Sequence, residues 1–408
     1  MWEACYSDGQ VAAAGIILYC GRVRILIATH YWRPHRGGIE TVAYEQARRL
    51  VTRNHVVTVL TSRLRGDPAN QVEEGISVHR IRALNALEPQ GVPFPIFSPS
   101  LWLQMTRLVA AHDLVLAHSH LFLTSAAAVT AAHRVGKPSL ILQHNTYVEY
   151  SWPWRLLEDV ADQSLGRWTL KMAGRRLAVS DAAAQYVQSL APGPTGLLRN
   201  GVDAGRFHPI AGEKERAALR ARLGLDAGAF VVFTVRRLSF KNGVDTLLEA
   251  ALRLRDSRHL QIVIAGSGPD RPAIERYLAR HELASVRLLG FVGDAELADW
   301  YRAADLFVLP SKSGEGMPMV VLEAFASGLP VLATRAGGQV EMIEEGENGW
   351  LIPPSSAESM ASAIAAARAR PDATRQMGRR ARSGVESLDW ERQVSLLEGY
   401  FNEHLLEA

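Results

Sequence analysis

Cysteine is almost absent from this chain: only Cys5 and Cys20 among 408 residues, both ahead of the first strand that the sequence predicts. A body without cysteine has no disulfide, no thiolate nucleophile and no cysteine-ligated metal, which points to a reducing, cytoplasmic setting. An excess of either charge is missing too. Forty-five Lys plus Arg stand against 42 Asp plus Glu, a formal net charge of +3, too slight for a nucleic-acid binder. Basic stretches such as Lys171–Arg176 and Arg379–Arg382 read as solvated helix faces. Val11–Tyr19 is apolar but far short of the ~20 residues that span a bilayer. Glu3 and Asp8 stand where a signal peptide carries Lys or Arg. Cys20-Gly21 is a poor lipoprotein processing site, because bulky Tyr19 precedes the cysteine. Residues 1–22 are therefore expected to be a disordered extension or to precede the real start. No Asp-x-Asp metal motif and no repeat of solenoid length occurs.

What is present is apolar material for two cores. Hydrophobic residues make up 48%, and the length suits two domains. From Val23 short apolar runs alternate with amphipathic helical stretches, the pattern of βαβ units and parallel sheets. Predicted strands are Val23–Ala28, Val56–Leu60, Ile76–Ile81, Asp113–Ala117, Ser139–Leu142, Leu177–Val179 and Gly196–Leu198. Gly201–Ala229 carries no strand signal and holds the expected domain boundary. A second alternation follows at Phe230–Val235, Leu260–Ala265, Val286–Leu289, Leu306–Leu309 and Val331–Ala333. The expectation is an α/β chain with two Rossmann-like domains, at 23–205 and 206–389. Ligands of such sheets bind beyond the carboxyl ends of the strands.

The stretch Asp305–Gly338 is the most informative. After the strand Leu306–Leu309 comes a loop, then Pro318, suited to the first turn of a helix that Gly328 ends. That helix reads MVVLEAFA, with Glu323 amid apolar residues. A carboxylate there needs a partner, and a buried arginine or a ligand would each serve. Glu315 stands eight positions earlier, in the glycine-rich loop. A helix start offers free N–H groups to an anion, and a vicinal diol on Glu323 would lie beside it. Phosphate next to ribose means a nucleotide.

EGMPMVVLE, with its paired glutamates, resembles the motif of retaining family 4 glycosyltransferases of the GT-B fold, in which two Rossmann-like domains face each other across a cleft. The resemblance extends over most of the chain. It includes Gly37-Gly38-Ile39-Glu40, Asn200-Gly201-Val202-Asp203 with Phe207 and Pro209, and Ala265-Gly266-Ser267-Gly268-Pro269. Gly290-Phe291-Val292, Ala304-Asp305, Pro310-Ser311, Gly337-Gly338 with Glu341, and Asn348-Gly349 continue it.

The resemblance implies transfer of a hexose-type sugar, with retention, from a nucleotide-diphosphate sugar to a glycan, lipid-linked or small-molecule acceptor. It implies that Glu323 binds the donor ribose, Glu315 lies near the transferred sugar, and Arg237 binds the diphosphate. His144, after the strand Ser139–Leu142, is the position that contacts the donor sugar; a satisfied core histidine is the other reading. The pattern G-R-L-x-x-x-K-G is altered here to Arg236-Arg237-Leu238-Ser239-Phe240-Lys241-Asn242-Gly243. Lys241, one position early, is taken as the second cation; a surface lysine is the alternative. Gly37, Gly38, Gly266, Gly316, Met317 and Pro318 complete the expected donor site, with no metal and no cofactor. His118 and His120 rank behind His144, since the spacing supplies no third or fourth zinc ligand.

Other readings remain open at this stage. A dehydrogenase would need a third glycine after Gly266-Ser267-Gly268. A glycosidase would use two carboxylates around the scissile bond, whereas Glu323 lies in apolar surroundings. A GT-B epimerase or phosphorylase, or a non-catalytic partner subunit, would keep the fold. Residues 86–102 and Tyr147–Trp154 are rich in aromatics. Exposed, they suit a lipid-linked acceptor and a peripheral contact with the inner face of a membrane; buried, they are ordinary packing. The helix expected over 390–408 is amphipathic and, by the resemblance, crosses back to the first domain.

Overall fold

The computed structural model describes residues 21–88, 92–149 and 152–407. Cys5, Cys20 and almost all of the expected N-terminal extension lie outside these residues.

Two sheets account for the strands. The first comprises β1 (Arg24–Ala28), β2 (Val56–Arg63), β3 (Asn70–Glu73), β4 (Ile76–Leu84), β5 (Ile96–Phe97), β6 (Leu114–His118), β7 (Ser139–Gln143), β8 (Arg175–Ala178) and β9 (Gly196–Leu197). Parallel pairing runs in the order β4-β2-β1-β6-β7-β8-β9, and β3 and β5 add antiparallel to β4. The second sheet comprises β10 (Phe230–Val235), β11 (Leu260–Ala265), β12 (Val286–Gly290), β13 (Leu306–Leu309), β14 (Val331–Thr334) and β15 (Gly349–Ile352). Its order is β12-β11-β10-β13-β14-β15, all parallel. The central strands are apolar on both faces because helices cover both; β13 is buried throughout.

Three strands lack the signal that marked the others, one of them β5, two residues paired with the end of β4. β3 is polar and largely exposed; it exists because the edge of β4 offers it a ladder of backbone partners. β15 begins at Gly349 and is only half-buried at its middle.

The helices of the first half are α1 (Gly38–Thr52), α2 (Ser100–Ala111), α3 (Leu123–Val135), α4 (Trp154–Ala161), α5 (Arg167–Met172) and α6 (Asp181–Leu190). Those of the second are α7 (Glu213–Leu223), α8 (Val244–Arg253), α9 (Arg271–His281), α10 (Asp294–Ala303), α11 (Met319–Ala326), α12 (Ala357–Ala369) and α13 (Pro371–Gly384), and α14 (Trp390–Glu407) closes the chain. Pro318 proves to be the residue before α11 rather than inside its first turn, with Gly328 just past its end in the left-handed region.

Helix α14 returns to the first sheet. Arg49 of α1 and Arg53 just past its end pair with Glu391, Arg53 and His55 with Glu398, and the Tyr400 hydroxyl donates to the Leu197 carbonyl at 3.1 Å. The outgoing and returning strands of chain run side by side, since Val202 N–H donates to the Leu388 carbonyl at 2.7 Å. One apolar cluster joins both halves through Phe207, Met317, Met319 and Trp390. Among the described residues no helix is long and apolar enough to cross a membrane.

In each sheet the strand order reverses beside the first strand, between β1 and β6 and between β10 and β13. Loops leaving neighbouring strand ends diverge there and open a crevice. The two crevices face each other, and most of the residues singled out from the sequence lie on their loops, with Glu323 in α11.

Candidate active site between the two sheets

The loop Pro310–Pro318 leaves β13 and carries Glu315 to the meeting of the two halves. Its approach requires glycine. A Cβ on Gly316 would stand 1.9 Å from the His144 carbonyl oxygen, at the end of β7 in the other half. Further contacts seal the seam: Thr146 hydroxyl donates to the Glu315 carbonyl (3.2 Å), and Glu149 N–H to the Ser313 hydroxyl (2.9 Å). Asn200 donates to the Met317 carbonyl at 2.8 Å. Glu341 accepts from the Asp181 and Ala182 amides at the start of α6 (2.9 and 2.6 Å), where a carboxylate suits the helix dipole.

Three cations follow β10, and the structure divides them. Arg236, whose side chain is only 7% exposed, donates to the Glu315 carboxylate at 2.5 Å, to the Ser311 hydroxyl at 2.6 Å and to Asn242 Oδ1 at 3.0 Å. Burial opposes ionisation of Glu315. The Arg236 charge and hydrogen bonds, with those of Ser311 and the nearby Lys241, outweigh it and hold the carboxyl below its ordinary range. Arg237, the next residue, points the other way: it donates to Glu88 of the first half at 2.7 Å. Both line a cavity of about 330 Å³ with Asn85, Gly268 and Pro269. Gly266, at φ +131°, makes this convergence feasible, since a Cβ there would stand 1.7 Å from the Arg236 carbonyl oxygen. Lys241 is half-buried, and among the described residues its ammonium has no ion pair. Burial lowers its pKa against the pull of Glu315. Asn242, in the slot where the family pattern has lysine, turns inward: its amide donates to the Arg237 carbonyl at 2.6 Å.

Glu323 is half-buried in α11. Its protein partner is a tyrosine rather than an arginine: the Tyr301 hydroxyl donates to it at 2.9 Å. Tyr301 is fixed edge-on against Phe233 at 5.2 Å. Burial pushes the Glu323 carboxyl up to about 7, against the Tyr301 hydrogen bond and Arg206, so near neutrality it both donates and accepts.

The first half contributes a row of histidines. Gly37 precedes α1, and Gly38 is its first residue. A Cβ on Gly37 would stand 2.3 Å from the Glu40 carboxylate, whereas Gly38 is open. Glu40 contacts His35 at 2.9 Å and His30 at 3.9 Å. His30 neighbours His118, and His118 Nδ1 is bonded to His144 Nε2 at 2.8 Å. Burial pushes His30 down to about 4, His118 to about 3 and His144 well below its ordinary value, so all three are neutral. His144 thus reaches the Glu315 loop through its carbonyl while its ring is held by His118. His120 belongs to a separate buried network with Asp162 (2.8 Å) and Gln143 (2.8 Å).

His35, Glu88, Arg236, Tyr301 and the pair Arg36–Asp294 (2.6 Å) escaped the sequence reading. His35 is also bonded to Glu88 at 2.8 Å. Burial lowers its pKa, but two carboxylate partners more than compensate and raise it to about 9. Glu88 falls to about 2, through His35 first, against burial, with help from Asn85 and Arg237. Only Arg236 had a usable signal: it stands where the family pattern has glycine.

Comparisons with known proteins agree with this architecture. Residues 215–384 match the family Glycosyl transferases group 1, and residues 36–206 match Glycosyltransferase Family 4. A D-inositol 3-phosphate glycosyltransferase of Streptomyces scabiei is 30% identical over 380 residues, covering 87% of this chain and 84% of that protein. An alpha-D-kanosaminyltransferase of Streptomyces kanamyceticus is 30% identical over 56% of this chain and 61% of its own length. Among solved structures, a sucrose-phosphate synthase of Thermosynechococcus elongatus superposes with a TM-score of 0.78 at 21% identity, covering 95% of this chain and all of that one. Anabaena HepE in complex with UDP and glucose gives 0.76 at 20% identity, covering 94% and 100%. At these identities the structural likeness speaks for the fold, which is GT-B.

Proposed function

Because the chain belongs to the glycosyl transferases of group 1, enzymes that transfer glycosyl groups, we propose that it moves a hexose-type sugar from a nucleotide-diphosphate donor with retention of configuration. One observation carries the reading of the donor site: Lys241, half-buried and without an ion pair among the described residues, lies beside Arg236, Arg237 and the Glu315 loop. A cation kept in partly desolvated surroundings without a counter-ion is a place for a phosphate.

In this reading Lys241 and Arg237 take the diphosphate, and Arg237 exchanges Glu88 for phosphate oxygen as the donor enters the cavity. Their charge stabilises the departing diphosphate, so the transfer calls for no metal. Glu323 holds the ribose diol, accepting from one hydroxyl while Tyr301 fixes its other side. Glu315, kept ionised by Arg236, faces the developing positive charge on the sugar carbon. The acceptor hydroxyl attacks from the face the leaving group vacates and passes its proton to a departing phosphate oxygen. The glycosidic bond to oxygen forms as the sugar–phosphate bond breaks. A reducing, cytoplasmic setting is part of the same reading.

The test is a thermal-shift screen with UDP-, GDP- and ADP-sugars, followed by transfer kinetics with the donor that stabilises the protein. Glu323→Ala should raise the donor KM with little change in kcat, and Glu315→Gln should mainly depress kcat. EDTA should leave both unchanged. A protein that no donor stabilises and that releases no nucleoside diphosphate would instead be a partner subunit of the same fold.

A further inference from the structure

Helix α4, the π-helical turn Asp162–Gly166 and α5 form one continuous rod between β7 and β8. Its inner side is polar and engaged: the buried Glu158 accepts from Val148 N–H at 3.2 Å, and Asp162 holds His120 and the Tyr186 hydroxyl. Its outer side is largely apolar and exposed, with the Trp168 indole N–H donating to the Thr130 hydroxyl of α3 at 3.2 Å. Trp152 just before the rod is 82% exposed, Leu156 58%, Leu157 50%, Val160 57% and Trp168 51%. Leu156 and Val160 stand one turn apart on α4 and share a face, with Leu157 beside them. Single exposed apolar side chains need no explanation, but a contiguous stripe of this kind marks an interaction surface.

The charges on the same rod indicate what covers it. Arg155, Arg167 and Lys171 are exposed, and Arg167 and Lys171 form no ion pair among the described residues. The exposed carboxylate on α4, Asp159, is engaged by the Tyr147 hydroxyl at 2.8 Å. Large apolar side chains flanked by cations, with tryptophan at both ends, fit the boundary between acyl chains and anionic head groups.

We propose that the α4–α5 stripe docks the protein on an anionic lipid membrane. The geometry then gives the site its orientation. Glu158 lies on the cleft side of α4 and holds Val148, which packs against Gly314 in the loop that carries Glu315. A membrane under the stripe therefore lies beside the mouth of the cleft, within reach of an acceptor anchored by a lipid tail. Docking itself does not rest on the transfer reading, and its test needs neither donor nor acceptor.

The test is cosedimentation with vesicles of phosphatidylcholine alone or with about 30% phosphatidylglycerol, where each cation near an anionic surface adds ~1 kcal/mol. The full chain should sediment with the anionic vesicles, stay in solution with the neutral ones, and dissociate as salt rises past ~0.5 M. Arg167→Gln with Lys171→Gln should weaken partition roughly 30-fold, the equivalent of ~1 kcal/mol per cation. Leu156→Ser with Val160→Ser should weaken it at least ~10-fold through lost apolar burial. Val72→Ser, 73% exposed on the far edge strand β3, should bind as the parent does. Should the apolar variant fold poorly, the exposed charge pair decides alone. The proposal is overturned if the parent ignores anionic vesicles or if the stripe variants bind as it does. Self-association that the apolar variant abolishes, without vesicle binding, would make the occupant a second copy.

Discussion

Replacing Arg236 by Gln tests whether this arginine keeps Glu315 ionised. The guanidinium is 7% exposed and Glu315 17%, with 2.5 Å between them. Removing one partner of such a pair leaves the other charge unpaired in a desolvated place, a loss of ~3–5 kcal/mol. For domains of this size each kcal/mol moves the melting temperature by roughly 2–4 °C, so the variant should melt roughly 6–20 °C lower at neutral pH. The sign with pH follows from the depressed carboxyl. Glu315 contributes stability above the ordinary carboxylate pKa of ~4.3, and that contribution fades as pH falls through its lower folded value. In the variant burial acts without Arg236 and raises the carboxyl, so protonation as pH falls relieves the penalty. The gap in melting temperature between parent and variant should therefore be large at neutral pH and shrink as acid is approached. Differential scanning calorimetry across this range, with Glu315→Gln and the double variant closing a cycle, reads it directly. A gap independent of pH, or a double variant whose loss equals the sum of the two single losses, would refute the pairing.

Three further outcomes follow from other contacts. Glu88→Gln removes one of the two carboxylates that support the His35 imidazolium, second to Glu40, so the His35 titration should move down from about 9, read by NMR of the ring protons. A raised histidine stabilises below ~6.5 and loses that contribution as pH rises through its folded value, so the parent's decline in stability toward pH 9 should flatten in this variant. Tyr301→Phe removes the hydrogen bond that restrains Glu323 below the value burial alone would give, so the pH at which donor affinity changes should move upward, read by donor titrations across pH. Gly316→Ala sets a methyl 1.9 Å from the His144 carbonyl; the halves must part there, and kcat should fall by at least ~10²-fold while the second half stays folded, measured by transfer rate and near-UV circular dichroism.

Sequence alone determined the strand–helix alternation, because each central strand is an apolar run covered by helices on both faces, as in VRILIA and FVVFTV. It placed Glu315 and Glu323 on their loop and helix, because turn residues and an apolar helix are local properties. Tertiary structure decided the partners. Arg236 and Arg237 are neighbours in an extended segment, so their side chains leave on opposite sides. Which of them meets Glu315, and which meets Glu88 from 149 positions earlier, depends on how the two crevices face each other. Burial likewise fixed the charges, raising Glu323 while Arg236 keeps Glu315 low. β3 lay beyond a sequence reading for the same reason: its polar residues become a strand only because the edge of β4 is there to receive them.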